Sequence, residues 1–434
     1  MSALKTQIGR TFVRLYTHPG LRRLRRARAT LWRRVSGAPA QVHYFHQADD
    51  PYSHLCAQVL SRLVGNYEIT LVPHLVSPPH ESAAPERARL AHWSLRDAAT
   101  LAKAYGLQAP QSSQGGLPGA SAVQATEEAL AAALDAGTFV AQAASISAGL
   151  WQATAPGLPH ALATPERVAA CKTQGDALRK RTGHYLGGTF FYAGEWYWGL
   201  DRMHFLEERL REESLCRLPT APLLAPVHEV ALAPLQSPGA SGATVDYFLS
   251  FRSPYTYLAL PRVRALAAHY GAQLRLRFVL PMVMRGLPVP VEKRLYIVSD
   301  VAREAQRLGM AFGNAVDPVG KPVERGYALL HRAIKDGRGV ELASSFLQGV
   351  WADGLDAGTD AGLHAIAARA GFDAAWVHAA LHATDWQAVA AANREDLLAL
   401  ELWGVPSFRV NDLPGHWGQD RLWVIEQELR ATQV

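Results

Sequence analysis

Leu21, Leu24, Leu31, Trp32 and Val35 recur at helical spacing after a Pro19-Gly20 break and lie opposite a band of arginines. This pattern predicts an amphipathic basic helix. From Val42 the period changes: VHYFHQADDPYSHL (42–55) reads as an apolar strand that runs through a Pro-Tyr pair into a helix. VDYFLSFRSPYTYL (245–258) repeats it position by position. GTFVAQAASISAGLWQAT around Trp151 likewise matches GRGVELASSFLQGVWADG around Trp351, and WYWGLDRMHFLEERL (196–210) matches HWGQDRLWVIEQEL (416–429). The offset stays near 200 residues and grows by loop insertions, so the chain reads as a tandem duplication. Each copy is expected to hold a strand-helix-strand start, a helical middle (122–152 and 337–381) and a strand-strand-helix finish.

Punctuation residues divide these copies. Pro219, Pro222, Pro226, Pro234 and Pro238 make 214–243 a semi-extended linker rather than a helix or central strand. Residues 108–121 and 153–165 read as loops. The domain reading is a basic arm at 1–36, a first domain at 41–213, the linker, and a second domain at 244–434.

Composition changes the picture in two places. The chain has 434 residues, 49% hydrophobic and 19% charged, and no apolar run near the length of a spanning helix, which suits a folded soluble protein of two or three cores. Cys56, Cys171 and Cys216 form no CxxC pair, zinc-ligand cluster or disulfide framework, so a reducing, cytoplasmic compartment and no metal are expected. Residues 1–36 carry ten Lys and Arg and no acidic residue, leaving 34 basic against 38 acidic elsewhere. The basicity therefore belongs to the arm and gives no reason to expect nucleic acid on the body of the protein. The arm lacks the apolar core and cleavage site of a secretory signal. It reads as a docking element for an anionic membrane surface or an acidic partner, or as a helix packed on its own protein.

The candidate chemistry gathers in the second copy. Ser253-Pro254 sits at a strand-to-helix junction, where Ser is a favoured N-cap and Pro a favoured first helical residue. The hydroxyl is then either a plain cap or, with the helix N-terminus behind it, a group that favours a bound thiolate. Pro406 in WGVPSFRV precedes a strand and reads either as an edge-strand proline or as a cis turn that frees neighbouring backbone groups for a peptide-like ligand. Asp420, in Trp417-Gly418-Gln419-Asp420-Arg421, caps the last helix or receives an amino group.

SPYTYLAL, RGLPVPVEKRLYIVSDVAREAQRLGMAF, WGVPSF and HWGQDRL, in this order, resemble the 2-hydroxychromene-2-carboxylate isomerase family, which is similar to kappa-class glutathione transferases and DsbA-type proteins. The resemblance covers 244–430 and, weakened, 41–211. With the α/β start and finish around a helical block, it implies two thioredoxin-like α/β domains, each with a helical insertion. It further implies glutathione as cofactor, with Ser253 beside its thiolate, Lys293 in contact with it, Val405 before Pro406 pairing with its backbone, and Gln419 and Asp420 holding its γ-glutamyl end. Ser253 and Thr256 stand where DsbA has its two cysteines, so dithiol oxidoreductase chemistry is not expected. Val323 and Glu324 occupy the place of an asparagine-containing turn in the family, a departure that bears on the substrate.

In the first copy Asp50 replaces the serine and Gly187-Gly188 the Val-Pro pair. This copy reads as a scaffold that kept its fold without the glutathione site, or as one that binds a different ligand. The resulting expectation is a glutathione-dependent isomerase or transferase acting on a small electrophilic, aromatic compound. The other reading is a non-catalytic, chaperone-like binding protein.

Overall fold

The computed structural model describes residues 3–111, 116–152, 162–234 and 242–433. The loop positions 112–115 and 153–161 and linker positions 235–241 lie outside the described residues. Two compact units divide the chain: Arg23–Val227 with Pro290–Tyr296, and Met1–Arg22 with His228–Val289 and Ile297–Val434.

Helices α1 (Ala3–Thr17) and α2 (Pro19–Ser36) come first, with Pro19 opening the second. Strand β1 (Gln41–His46) leads through α3 (Pro51–Ala57) and α4 (Leu60–Asn66) into β2 (Thr70–Leu75). The helical insertion follows as α5 (Arg87–Tyr105), α6 (Ala120–Asp135), α7 (Phe139–Gln152) and α8 (Pro165–Thr182). Strands β3 (Thr189–Tyr192) and β4 (Glu195–Trp198) and helix α9 (Met203–Glu212) close the first half. The second half opens with β5 (Thr244–Leu249), α10 (Pro254–His269) and β6 (Gln273–Phe278). Its insertion comprises α11 (Val291–Arg307), α12 (Lys321–Lys335), α13 (Gly339–Gln348), α14 (Asp360–Arg369), α15 (Ala374–Leu381) and α16 (Trp386–Ala399). Strands β7 (Ser407–Val410) and β8 (His416–Trp417) and helix α17 (Leu422–Ala431) end it.

Both sheets have four strands in one topology, β2-β1-β3-β4 and β6-β5-β7-β8. The first pair in each is parallel, as its helical crossover requires, and the other pairs are antiparallel. Registers correspond too: Phe45 faces Thr189 in one sheet and Phe248 faces Ser407 in the other. The fold is thus α/β with two thioredoxin-like domains, each carrying a helical insertion.

The insertions are longer and more broken than the Ala-rich pattern predicts. Gly137, in the left-handed region at φ +68°, ends the first stretch, and a π-helical turn at Gly349–Asp353 interrupts the second. Helices α5 and α11 lie outside the stretches 122–152 and 337–381, yet Leu101 and Ala98 in one and Val301 and Ala305 in the other are buried.

Matching polar contacts fasten each copy. Tyr44 donates to the Ser53 carbonyl (3.1 Å) as Tyr247 does to Thr256 (2.8 Å). Tyr52 donates to buried Asp97 (2.8 Å) as Tyr255 does to buried Asp300 (2.7 Å). The last helix of each copy carries a buried glutamate. Glu207 accepts from Tyr67 (3.0 Å) and from the amides of Leu224 and Ala225. Glu426 accepts from Tyr270 (3.0 Å) and from the amides of Ala231 (2.7 Å) and Ala233 (3.0 Å). Over its described residues the Pro-rich segment after Cys216 forms no helix or strand, so side chains supply the acceptors that secondary structure would otherwise give its amides.

Glu426→Ala strands a buried hydroxyl and two amides, and should cost roughly 2–5 kcal/mol in urea unfolding, while Glu426→Gln, which keeps an acceptor, should cost less. Equal losses for the two variants would contradict this anchoring role.

Candidate functional site

The site of interest forms where β5 gives way to α10. A helix start leaves its first amides without intrahelical acceptors, and Ser253, in extended backbone at φ −93° and ψ 113°, supplies one. Its Oγ accepts from the Thr256 amide at 3.3 Å. The same hydroxyl donates to the Val405 carbonyl at 3.2 Å. Ser253 and Val405 are both half-buried, and the Val405-Pro406 bond is cis.

The loop at 403–406 is fixed on every carbonyl. Arg285 donates to Trp403 (2.9 Å), the Ser407 hydroxyl to Gly404 (2.9 Å), Ser253 to Val405, and the Gly418 amide to Pro406 (2.9 Å). Gly404 is obligatory, because a Cβ there would lie 2.2 Å from the Trp417 indole. The Val405 amide, by contrast, has no hydrogen-bond partner among the described residues. A fixed acceptor-donor edge with one unused amide, beside a hydroxyl at a helix N-terminus, can hold an extended backbone and a negative charge next to it.

Gln419 and Asp420 join this edge through the Gly418–Pro406 bond. The Gln419 side chain is buried, accepting from Arg262 and donating to Glu304 (3.4 Å) and to Asp420. Half-buried Asp420 is therefore the more accessible of the two. Lys293 is in the Pro290–Tyr296 segment that belongs to the first unit. Its ammonium donates to the Ala83 carbonyl (2.7 Å) and lies 5.7 Å from the centre of the Tyr185 ring, and burial pulls its pKa down to about 8. The geometry thus brings Ser253, Val405 and Pro406 together, ties Gln419 and Asp420 to them, and leaves Lys293 on another contact.

Residues that sequence reasoning missed hold the site in place. Arg285 fixes the proline loop. Arg252, next to Ser253, is paired bidentately with Asp317. Asp300 receives Tyr255, in the first turn of α10. The match of LRDAATLAKAYGL to VSDVAREAQRLGM at an offset of 203 is the signal that pairs Asp97 with Asp300.

The first copy shows the same place filled. Asp50 caps α3 with both oxygens, accepting from the amides of Tyr52 (3.3 Å) and Ser53 (2.9 Å) and from the Ser53 hydroxyl (2.7 Å). The facing residues, Gly187 and Gly188, are buried. A Cβ on Gly187 would lie 2.6 Å from Gln47 Cβ, and one on Gly188 would lie 3.2 Å from the Asp50 carboxylate. Gly188 sits at φ +61°, which proline cannot adopt. The Gly187 amide also lacks a partner among the described residues, but Gln47 packs against the Gly187 Cα. Burial raises Asp50 to about 6, its hydrogen bonds from Ser53 opposing that rise. Among the described residues no group of three or more His, Cys, Asp and Glu is placed to hold a metal, and no helix is long and apolar enough to cross a membrane.

A strand-helix-strand start, a helical insertion, an antiparallel finish and a capped helix facing a proline loop define a DsbA-like thioredoxin domain. Residues 244–430, less than half of the chain, match the model of the DsbA-like thioredoxin domain family. The chain is similar to a solved 2-hydroxychromene-2-carboxylate isomerase, at 22% identity over 43% of this chain and 94% of that one (TM-score 0.37). It is also similar to the cytosolic disulfide reductase DsbM from Pseudomonas aeruginosa, at 20% identity over 43% and 95% (TM-score 0.35). A third similar structure is a probable DsbA oxidoreductase from Streptomyces coelicolor, at 21% identity over 44% and 89% (TM-score 0.35). No curated protein matches the chain.

Asp50 holds its proton more tightly in the folded chain than in the unfolded one. Its contribution is therefore fully present below about pH 4 and is lost as the pH rises through about 6. Asn caps the same helix without titrating. The stability of the natural chain relative to Asp50→Asn should thus fall by up to about 3 kcal/mol between pH 4 and pH 7 in urea unfolding. A difference independent of pH would contradict the burial of this carboxyl.

Proposed function

We propose that the second copy is a glutathione-dependent isomerase or transferase domain acting on a small electrophilic compound, and that the first copy is a scaffold. The observation that carries this reading is the juxtaposition of the Ser253 hydroxyl with the unpartnered Val405 amide at the start of α10. The donor set suits a tripeptide thiol. Val405 offers an amide to an extended backbone, Asp420 a carboxylate to an amino group, and Ser253 a hydroxyl at the positive end of a helix.

When bound, glutathione would supply a thiolate that forms a C–S bond at a conjugated carbon, allows rotation about the resulting single bond and leaves with its electron pair, with no net oxidation. The chain's own part is electrostatic. To donate to an incoming anion, the Ser253 hydroxyl turns from the Val405 carbonyl, and the α10 dipole adds a favourable field there. Held by Arg285 and Trp417, the 403–406 loop keeps its position while this hydroxyl reorients. Dithiol exchange has no pair to work with. Ser253 and Thr256 carry hydroxyls, all three cysteines are free, and burial pushes the Cys56 and Cys171 thiols up. A reducing, cytoplasmic setting belongs to this proposal. An extended-peptide binder would use the Val405 amide equally well, but it gives the Ser253 hydroxyl no task beyond capping.

Ser253→Ala separates these readings. Loss of the cap should cost about 0.5–2 kcal/mol of stability. Glutathione affinity at neutral pH should fall about 10- to 100-fold, the worth of one hydrogen bond to a charged partner, and the ultraviolet thiolate band of the bound thiol should move to higher pH. Unchanged affinity and an unmoved thiolate band would sink the catalytic assignment and leave the peptide-binding one.

A further inference from the structure

Helices of water-facing proteins turn their apolar stripe inward and their charges outward. Helix α2 does the reverse. Its half-buried positions are Arg22, Arg26, Ala29, Thr30 and Arg33, one line along the helix. Arg26 grips Glu195 with two parallel bonds (2.8 and 2.7 Å), and Arg33 reaches Glu213 at 3.4 Å. The opposite face carries Leu24, Leu31, Trp32 and Val35, whose exposures are 65%, 63%, 73% and 75%. At 100° per residue Arg25 and Arg28 fall among these apolar side chains, and Arg23 and Arg34 flank them; all four are exposed.

Helix α1 shows it only in part: Val13 packs on the core, Arg10 turns inward to Asn314 (2.6 Å) and Thr17 is buried, while Ile8, Phe12 and Leu15 are more than half exposed. Arginine ion pairs are a costly way to seat a helix when an apolar stripe is at hand. Holding the helices by their charged side keeps the stripe free for something else.

We infer that this apolar and basic face is a docking surface for an anionic phospholipid bilayer. Trp32, Leu24, Leu31 and Val35 have the amphipathic and aliphatic character that settles at the headgroup boundary, and the arginines interleaved with them match lipid phosphates. A second copy of the chain is the poorer occupant. Residues 1–36 carry ten positive charges and no acidic residue, so two such faces would repel.

The test uses the full chain and sedimentation with vesicles, either phosphatidylcholine alone or phosphatidylcholine mixed with phosphatidylglycerol. The natural protein should sediment with the mixed vesicles and not with the neutral ones, and less so as salt rises past about 0.15 M. The triple variant Leu24→Ser, Leu31→Ser, Trp32→Ser removes exposed side chains only and should keep the thermal midpoint while losing about tenfold or more in partitioning. Arg25→Gln with Arg28→Gln should weaken binding and flatten its salt dependence. Equal partitioning by natural and triple-variant protein would overturn the proposal. So would a natural chain that ignores anionic vesicles but sediments as a dimer which the triple variant abolishes, since that would assign the face to a second copy.

Discussion

The first amides of a helix need acceptors from outside the helix, and how α3 and α10 meet that need decides what each half of the molecule is able to do. A serine meets it weakly and remains adjustable. Ser253 uses one lone pair on Thr256 and directs its proton at Val405, so the helix dipole still acts on whatever lies beyond. An aspartate meets it completely. The two oxygens of Asp50 take two amides and a hydroxyl, and a buried glycine backbone closes over them. A second anion there would meet repulsion of roughly 1 kcal/mol in water at about 4 Å and several times that in a partly buried setting.

The two copies could diverge at this point because their frameworks are fastened elsewhere. The Tyr-to-Asp bond between the first helix and the insertion, the Tyr-to-carbonyl bond across β1 or β5, and the glutamate on the last helix recur in both copies. None of these contacts involves the capping residue. Exchange of serine for aspartate therefore changes the chemistry of the cleft and leaves the fold's supports intact. The paired glutamates also explain how a Pro-rich segment without helix or strand over its described residues is held close to each last helix.

The sheets, the duplication and the start of α10 were legible because they rest on local patterns: alternating apolar strands, a Ser-Pro or Asp-Pro junction, and segments repeated at a fixed offset. The insertion helices were legible only in part. The matched Ala-rich stretches mark α6 and α7, whereas α5 and α11 lie outside them and carry arginines beside their apolar stripes. Within the site, Ser253, Val405 and Pro406 could be found because their residue types announce a cap and a turn. Arg285 and Arg262 could not, since each acts through a partner more than 100 residues away along the chain. Lys293 was legible from its motif, and its donation to the Ala83 carbonyl was not. Nor did helical periodicity say which side of α2 faces the protein, because the apolar stripe ordinarily faces in and here the arginines do.

Titration calorimetry of glutathione into the intact chain at neutral pH tests the asymmetry between the copies most directly. With one adjustable cap and one saturated cap, the account predicts a stoichiometry of one. It also predicts that Asp50→Ser will not add a second site, because Gln47 stays packed against the Gly187 Cα and Gly188 keeps its left-handed backbone. Two equivalent sites on the natural chain would contradict it.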